Sequence, residues 1–327
     1  MDRAAQILRE GGLVALPTET VYGLGANAMD EEAVERIFAA KGRPSWDPVI
    51  VHIAKSEMLG QVVAEVPRTA RRLMQAFWPG PLTLLLPRAA AVPDAVTAGR
   101  PLVGVRMPSH PVALELIRRA GLPIAAPSAN RFAHISPTTA AHVLHDLKGR
   151  IEAVLDAGPT SHGVESTVLD VATSPMVIYR PGAVTAEQIR VVAGPVVLHT
   201  EVANERPAQG LPAPGVGLRH YAPKARLVLI DAPQGQLEER LAEAASSRNG
   251  EALGMMLPEG VAAPPGIEAA RIYAWGRWDA PDELARRLYA GLRALDASGC
   301  SVIVCPLPAA EGIGIAIRDR LRKAARQ

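Results

Sequence analysis

Cysteine is nearly absent from the chain: Cys300 and Cys305 are the only two in 327 residues. They flank an apolar stretch and lack metal-ligand spacing, which argues against both a disulfide framework and a zinc site, and both read as core thiols. Long hydrophobic runs are missing as well. No segment approaches the roughly 18 to 20 apolar residues of a membrane span, and Met1-Asp2-Arg3 leads into an amphipathic helix, not into the apolar core of a signal peptide. The expectation is a soluble cytoplasmic protein with no membrane contact. Charge of one sign is equally scarce. Lys and Arg total 35 against 33 Asp and Glu, a net charge of +2, which implies no extended surface for a polyanion, although local Arg/Lys clusters could hold phosphates. Aromatic residues are only 4% of the chain, too few for an extended set of exposed base-stacking platforms interleaved with basic residues. What the chain has in quantity is apolar residues, 48%, enough for a large core and for two domains.

The first two hundred residues alternate helices and strands. Helices are expected at 2–10, from Asp30 onward with Val34, Ile37 and Phe38 at helical spacing, and at 67–77, 111–120, 139–147 and 185–191. Strands are expected at 13–16, 49–53, 82–86, 102–107, 124–126, 167–171 and 177–179, with a short apolar run at 153–155. No internal repeat is evident. From about His199 to Lys224 the character changes: residues 203–217 are rich in Pro, Gly and polar residues without an apolar period, which marks a linker. Residues 225–327 then alternate again, with strands at 227–230, 252–257 and 302–305 and helices at 237–245, 282–295 and 313–325. The fold class is α/β: an open twisted sheet domain over 1–198, a linker over 199–224, and a smaller Rossmann-like α/β domain over 225–327. Gly312-x-Gly314 opens a helix but lacks the third glycine and the later acidic partner of a dinucleotide site.

The stretch around which the first domain is organised is Pro17-Thr18-Glu19-Thr20-Val21-Tyr22-Gly23-Leu24-Gly25. It leaves the sheet after Leu16, where ligands of open α/β sheets gather, and it packs two hydroxyls, a carboxylate and a phenol into five residues before two glycines. Lys41-Gly42-Arg43-Pro44 sets two cations on an irregular surface segment suited to phosphate oxygens. Ser128-Ala129-Asn130 offers a hydroxyl and an amide at another strand end. Each alone is matched by a plainer reading: a strand-to-loop turn, cations complementing a helix C-terminus, a Ser/Asn turn.

Taken in order, Pro17 to Gly25, Lys41-x-Arg43, Trp78-Pro79-Gly80-Pro81-Leu82-Thr83, Val105 to Pro111, Pro123 to Asn130, Ser136-Pro137-Thr138 and Gly163-Val164-Glu165-Ser166-Thr167 resemble the threonylcarbamoyl-AMP synthases with the YrdC-like fold. Arg180-Pro181-Gly182, the linker ending His220-Tyr221-Ala222-Pro223-Lys224 and the α/β tail resemble the longer two-domain form. The resemblance implies an ATP-dependent nucleotidyltransferase joining L-threonine, bicarbonate and ATP into threonylcarbamoyl-adenylate and pyrophosphate, for modification of the adenosine beside the anticodon in tRNA. The partners it implies are those substrates and a tRNA-modifying transferase that takes the product. Magnesium is expected with ATP, held mainly through phosphates, and no metal-binding residue is assigned.

The chain departs from the family pattern at Asp47-Pro48-Val49, where Asn-Pro-Leu is usual, at Phe132-Ala133, where Ser-Gly is usual, and at Gly217-Leu218, where Lys or Arg followed by Tyr is usual. Asp47 would bring a negative charge near phosphates, so either a metal ion offsets it or only its backbone meets ATP. Physically, zwitterionic threonine needs a cation for its carboxylate and a partner for its hydroxyl. Arg106 suits the first, and Thr20, His52 and Ser166 are the polar candidates for the rest. The resemblance places threonine at these same positions, with backbone near Ala126. For ATP it points to Arg43, Asp47, Leu102, Ser128, Asn130, Ser136, Arg180 and His220, with Lys41 and Arg43 as the catalytic cations. His110, His134, His142, His145, His162 and His199 are read as structural. Arg219-His220-Tyr221 is read either as part of a lid over the cleft or as an anchor for the second domain. Two other classes remain open: a groove lined by Lys41, Arg43, Arg106 and Arg180 that binds RNA, weakly given the near-neutral charge, and a carbamoyl-transfer enzyme using the same fold.

Overall fold

The computed structural model describes residues 1–199, 211–213, 215–216, 220–247, 250–266 and 271–326. It divides into two compact units, Met1–Phe132 with Ser136–Leu218 and Ala133–Ile135 with Arg219–Gln327. The division falls inside the stretch read as a linker, and Arg219, Gly217 and Leu218, with most of the Pro/Gly-rich run, lie outside the described residues.

Among the described residues the first unit holds ten strands: β1 (Val14–Leu16), β2 (Gly23–Asn27), β3 (Ile50–His52), β4 (Leu82–Pro87), β5 (Leu102–Arg106), β6 (Ile124–Ala125), β7 (Ala153–Val154), β8 (Thr167–Asp170), β9 (Met176–Arg180) and β10 (Val196–Leu198). They form one mixed sheet in the order β10-β9-β8-β4-β5-β3-β6-β2-β1-β7. Residues 23–27, placed in the loop by their two glycines, are a strand that pairs antiparallel with both β1 and β6. The reason is steric: a Cβ on Gly25 would lie 2.9 Å from Leu16 Cδ2 and 3.0 Å from Ile124 Cγ2, so only glycine lets these three strands close up.

Register decides what each face carries. β3 and β5 run parallel with His52 beside Arg106 and Ile50 beside Gly104; Leu85 of β4 opposes Gly104; Thr83 of β4 is beside Val168 of β8, which opposes Arg180 of β9. Because side chains alternate along a strand, Ile50, His52, Thr83, Leu85, Leu102, Gly104, Arg106, Val168 and Arg180 share one face. Their alternates, Val51, Leu82, Leu84, Leu86, Val103, Val105 and Leu169, are buried in the main core with helices Glu31–Lys41 and Pro111–Ala120. One face is thus apolar except for Thr167, whose buried hydroxyl donates to the Val184 carbonyl, and the other mixes charge with a small apolar patch. Ala213 and Val216 cover that patch, packing with Ile50, Leu85 and Val168, while the Leu211 amide donates to the Trp46 carbonyl at 2.9 Å. The described part of the linker is therefore packed chain on the polar face of the sheet.

The second unit holds a four-stranded parallel sheet of β11 (Arg226–Ile230), β12 (Leu253–Pro258), β13 (Ile272–Gly276) and β14 (Val302–Pro306) in the order β11-β14-β12-β13. Leu237 and Leu241, from the helix Leu237–Ser246, pack against Met255, Val302 and Val304. Cys300 and Cys305 are both buried free thiols. Tyr221, at φ 64°, stacks on Tyr289 with centroids 5.7 Å apart and carries the Arg320 guanidinium 5.3 Å from its ring centre, so its aromatic contacts hold this unit together. No helix among the described residues is long and apolar enough to cross a membrane.

Candidate active site

The turn after β1 is held by its own hydroxyls. Thr18 Oγ1 donates to the Val21 carbonyl at 2.6 Å and accepts from the Thr20 and Val21 amides, a local motif that bends the chain out of the sheet. The turn carries Glu19 and Thr20 inward to Arg106. Arg106 Nη2 lies 2.5 Å from Glu19 Oε1, its Nη1 donates to Thr20 Oγ1 at 2.9 Å and its Nε to the Gly80 carbonyl at 3.2 Å. All three side chains are buried. Burial pushes the Glu19 carboxyl up, but the Arg106 charge and hydrogen bond outweigh it, and Glu19 stays below its ordinary value and ionised. His52, also buried, is pushed down to about 3 by burial and then by Arg106, so its ring is neutral. Tyr22 is structural: its hydroxyl donates to the Gly158 carbonyl at 2.7 Å.

Lys41 and Arg43 do not lie on the surface. Lys41 ends its helix against Gly42, which takes the left-handed cap at φ 64°, and its Nζ donates to the Ser128 and Asn130 carbonyls. It is buried, and burial, then the Arg43 charge, holds its ammonium well below the usual lysine range. Arg43 donates from Nε to the Asp47 carbonyl at 3.1 Å and from Nη2 to the Pro48 carbonyl at 2.6 Å, with Nη2 2.9 Å from Asp47 Oδ1. Asp47 is offset by arginine: burial raises its carboxyl, opposed by Arg43, Lys41 and Arg180 in that order. The cation pair thus shapes its own loop and pins the 128–130 loop beside it.

A third group borders these two. Arg180 donates from Nε and Nη2 to the Ser166 carbonyl at 3.1 and 3.0 Å and to Ser166 Oγ at 3.1 Å, and Ser166 shares a 2.8 Å hydrogen bond with Thr83. One residue earlier, Glu165 accepts from Ser136 Oγ at 2.6 Å. Ala126 donates its amide to the Ile50 carbonyl, and Leu102 packs at the edge of the patch of Ile50, Leu85 and Val168. The described contacts therefore gather Thr20, His52 and Arg106, then Ser166 and Arg180, then Lys41, Arg43, Asp47, Ser128 and Asn130, all in the first unit. His220 belongs to the second unit, its ring 5.4 Å from that of Tyr221. Among the remaining histidines, His110 caps its helix by accepting from the Val112 amide. Sequence reasoning left Glu19, Thr83 and Glu165 without roles, although all three stand inside the quoted motifs.

Two family models match the chain. One described as "Telomere recombination" covers residues 6–182, and one described as "Threonylcarbamoyl-AMP synthase, C-terminal domain" covers residues 184–326. The threonylcarbamoyl-AMP synthase of Pyrococcus abyssi is 44% identical over 98% of this chain and 92% of its own length. That of Bacillus subtilis is 44% identical over 99% and 92%. The crystal structure of P. abyssi Sua5 complexed with L-threonine superposes with a TM-score of 0.89 at 44% identity, covering 99% of this chain and 93% of that one.

Proposed function

Because the chain belongs to the threonylcarbamoyl-AMP synthase family, we propose that its polar sheet face joins L-threonine, bicarbonate and ATP into threonylcarbamoyl-AMP and pyrophosphate. The chain is an ATP-using enzyme of nucleotidyltransferase type. The observation that carries the placement is the buried arginine at the end of β5, with Thr20 and neutral His52 around it. Three of Arg106's five N–H groups are engaged, which leaves two for a carboxylate. Thr20 then meets the substrate hydroxyl.

The threonine ammonium first gives a proton to solvent; the neutral amine then attacks the carbon of carbon dioxide formed as bicarbonate loses hydroxide, the second amine proton joins that hydroxide as water, and the resulting N-carboxylate oxygen attacks the α-phosphorus. The bond to the leaving pyrophosphate breaks as the new P–O bond forms. In such a transfer positioning and cations supply most of the rate. Arg180, Arg43 and Lys41 offer that charge, with Ser128, Asn130 and Ser136 as hydrogen-bonding partners for the nucleotide and Leu102 as its apolar contact. The family's use of ATP suggests a divalent metal, and we assign magnesium. A triphosphate-bound magnesium needs only one or two protein oxygens, and among the described residues no three carboxylate, imidazole or thiol groups meet. The Ser136 and Glu165 oxygens would hold it, and it would neutralise charge on the phosphates. The product's acceptor is a tRNA-modifying transferase.

Radiolabelled bicarbonate supplied with threonine and ATP should enter an acid-labile adenylate only when both are present. Valine should not replace threonine, since a site built for a hydroxyl leaves its own groups unpaired with the isostere. Incorporation independent of either substrate would refute the assignment.

A further inference from the structure

The charge balance at Arg106 raises a question that its role as a carboxylate receptor leaves open. A guanidinium meant for an anionic ligand is strongest alone, yet Arg106 is neutralised by the buried, ionised carboxylate of Glu19 at 2.5 Å. For a lone anion such a neighbour only weakens binding. It helps a ligand that carries its own positive charge next to its negative one. Besides Arg106, the backbone amides of Glu19 and Ser109 stabilise the Glu19 carboxylate, and the lone pairs of its two oxygens leave acceptor capacity beyond these. Of the other site carboxylates, Asp47 is paired with Arg43, and Glu165, which accepts from Ser136, is the one assigned above to the metal.

We propose that Glu19 is the ammonium receptor of the amino-acid site, forming with Arg106 a charge pair that reads the zwitterionic head of an α-amino acid. The inference rests on the threonine assignment above and deepens it. Thr20, whose hydroxyl is bonded to Arg106, stands next to Glu19 in the chain, so a single turn presents groups for the ammonium and the side-chain hydroxyl. The site selects amino acids over hydroxy acids of the same shape before any chemistry occurs, and it holds the nitrogen that becomes the nucleophile.

The test is calorimetric titration of the full chain with L-threonine and with (R)-3-hydroxybutyrate, which is threonine without its amine. The wild-type chain should prefer threonine by about a hundredfold, the scale of a buried charge contact. In E19Q that preference should collapse to within about fivefold, with the hydroxy acid binding more tightly than to wild type because Arg106 is no longer neutralised. E19D, which keeps the charge but withdraws it by one methylene, should fall between, and it stands in if E19Q does not fold. Equal wild-type affinity for the two ligands, or a folded variant that keeps the full preference, overturns the role of Glu19 alone. Absence of threonine binding to wild type overturns the proposed reaction as well.

Discussion

Arg43 and Asp47 form a buried ion pair, 9% and 0% exposed, and such pairs are costly to break because the surviving charge has no water to turn to. Arg43→Ala should therefore destabilise the chain by about 3 kcal/mol or more in urea unfolding, as well as abolish adenylate formation. Adding Asp47→Asn should recover part of the stability and none of the activity. If R43A unfolds like wild type, the pair is not what holds this loop. His52 gives a test by pH. Its folded value of about 3 lies below its ordinary 6.5, so between those limits the unfolded chain binds a proton that the folded chain does not. Stability must then fall on acidification from pH 6.5, by up to about 1.4 kcal/mol per pH unit from this group. His52→Asn should flatten the stability profile between about pH 6.5 and pH 5, above the range where Glu19 titrates. Parallel profiles for wild type and variant would contradict the buried neutral ring.

Two glycines, one just past β9 and one inside β5, separate packing from function. A Cβ on Gly182, just past β9, would fall 2.4 Å from the Thr167 amide nitrogen and 2.5 Å from the Glu165 carbonyl, so Gly182→Ala must push apart the backbone that Arg180 grips and should lower the melting temperature by several degrees. A Cβ on Gly104, inside β5, would meet only Thr83, Leu85 and Ile50 side chains at 3.4 to 3.6 Å, ordinary contact. Gly104→Ala should leave the melting temperature unchanged or slightly raised, since strand glycines cost about 0.5–1 kcal/mol relative to alanine, while narrowing the space over the polar face and weakening nucleotide binding. A large loss of stability in G104A would show that packing alone demands the glycine. The same elements explain what could be read in advance. β3, β4, β5, β8 and the helix capped by Asp30, whose carboxylate accepts from the Ala33 amide, announce themselves by apolar runs and caps. β2 and β13 do not, because Gly-Leu-Gly-Ala-Asn and Ile-Tyr-Ala-Trp-Gly carry no clean alternation and take their shape from neighbours. Lys41 and Arg43 could be found but not placed, since their acceptors are carbonyls in loops as distant as residues 128–130 and a buried carboxylate. Glu19 drew no role for the same reason: its partner is 87 positions away, and only folding brings the two together.

At the scale of the whole chain, the question is what residues 211–216 contribute to the first unit. Their described members are not a slack tether: Leu211, Ala213 and Val216 are buried, the last two against Ile50, Leu85 and Val168 on the face that carries His52, Arg106 and Arg180. Removing them would expose apolar side chains at the site itself and admit water to a labile carbamate and mixed anhydride. A chain ending at Val216 should thus resist urea better than one ending at Val197, by the burial of roughly two apolar side chains, about 3 kcal/mol. It should also retain more adenylate per ATP consumed. In the intact protein, ATP with threonine should slow proteolysis around Gly215, because a filled site presses the strap against its ligand. If both truncations unfold at the same denaturant concentration and ligands leave the cleavage rate unchanged, the strap neither stabilises nor closes the site, and its burial is a passive consequence of the chain's route.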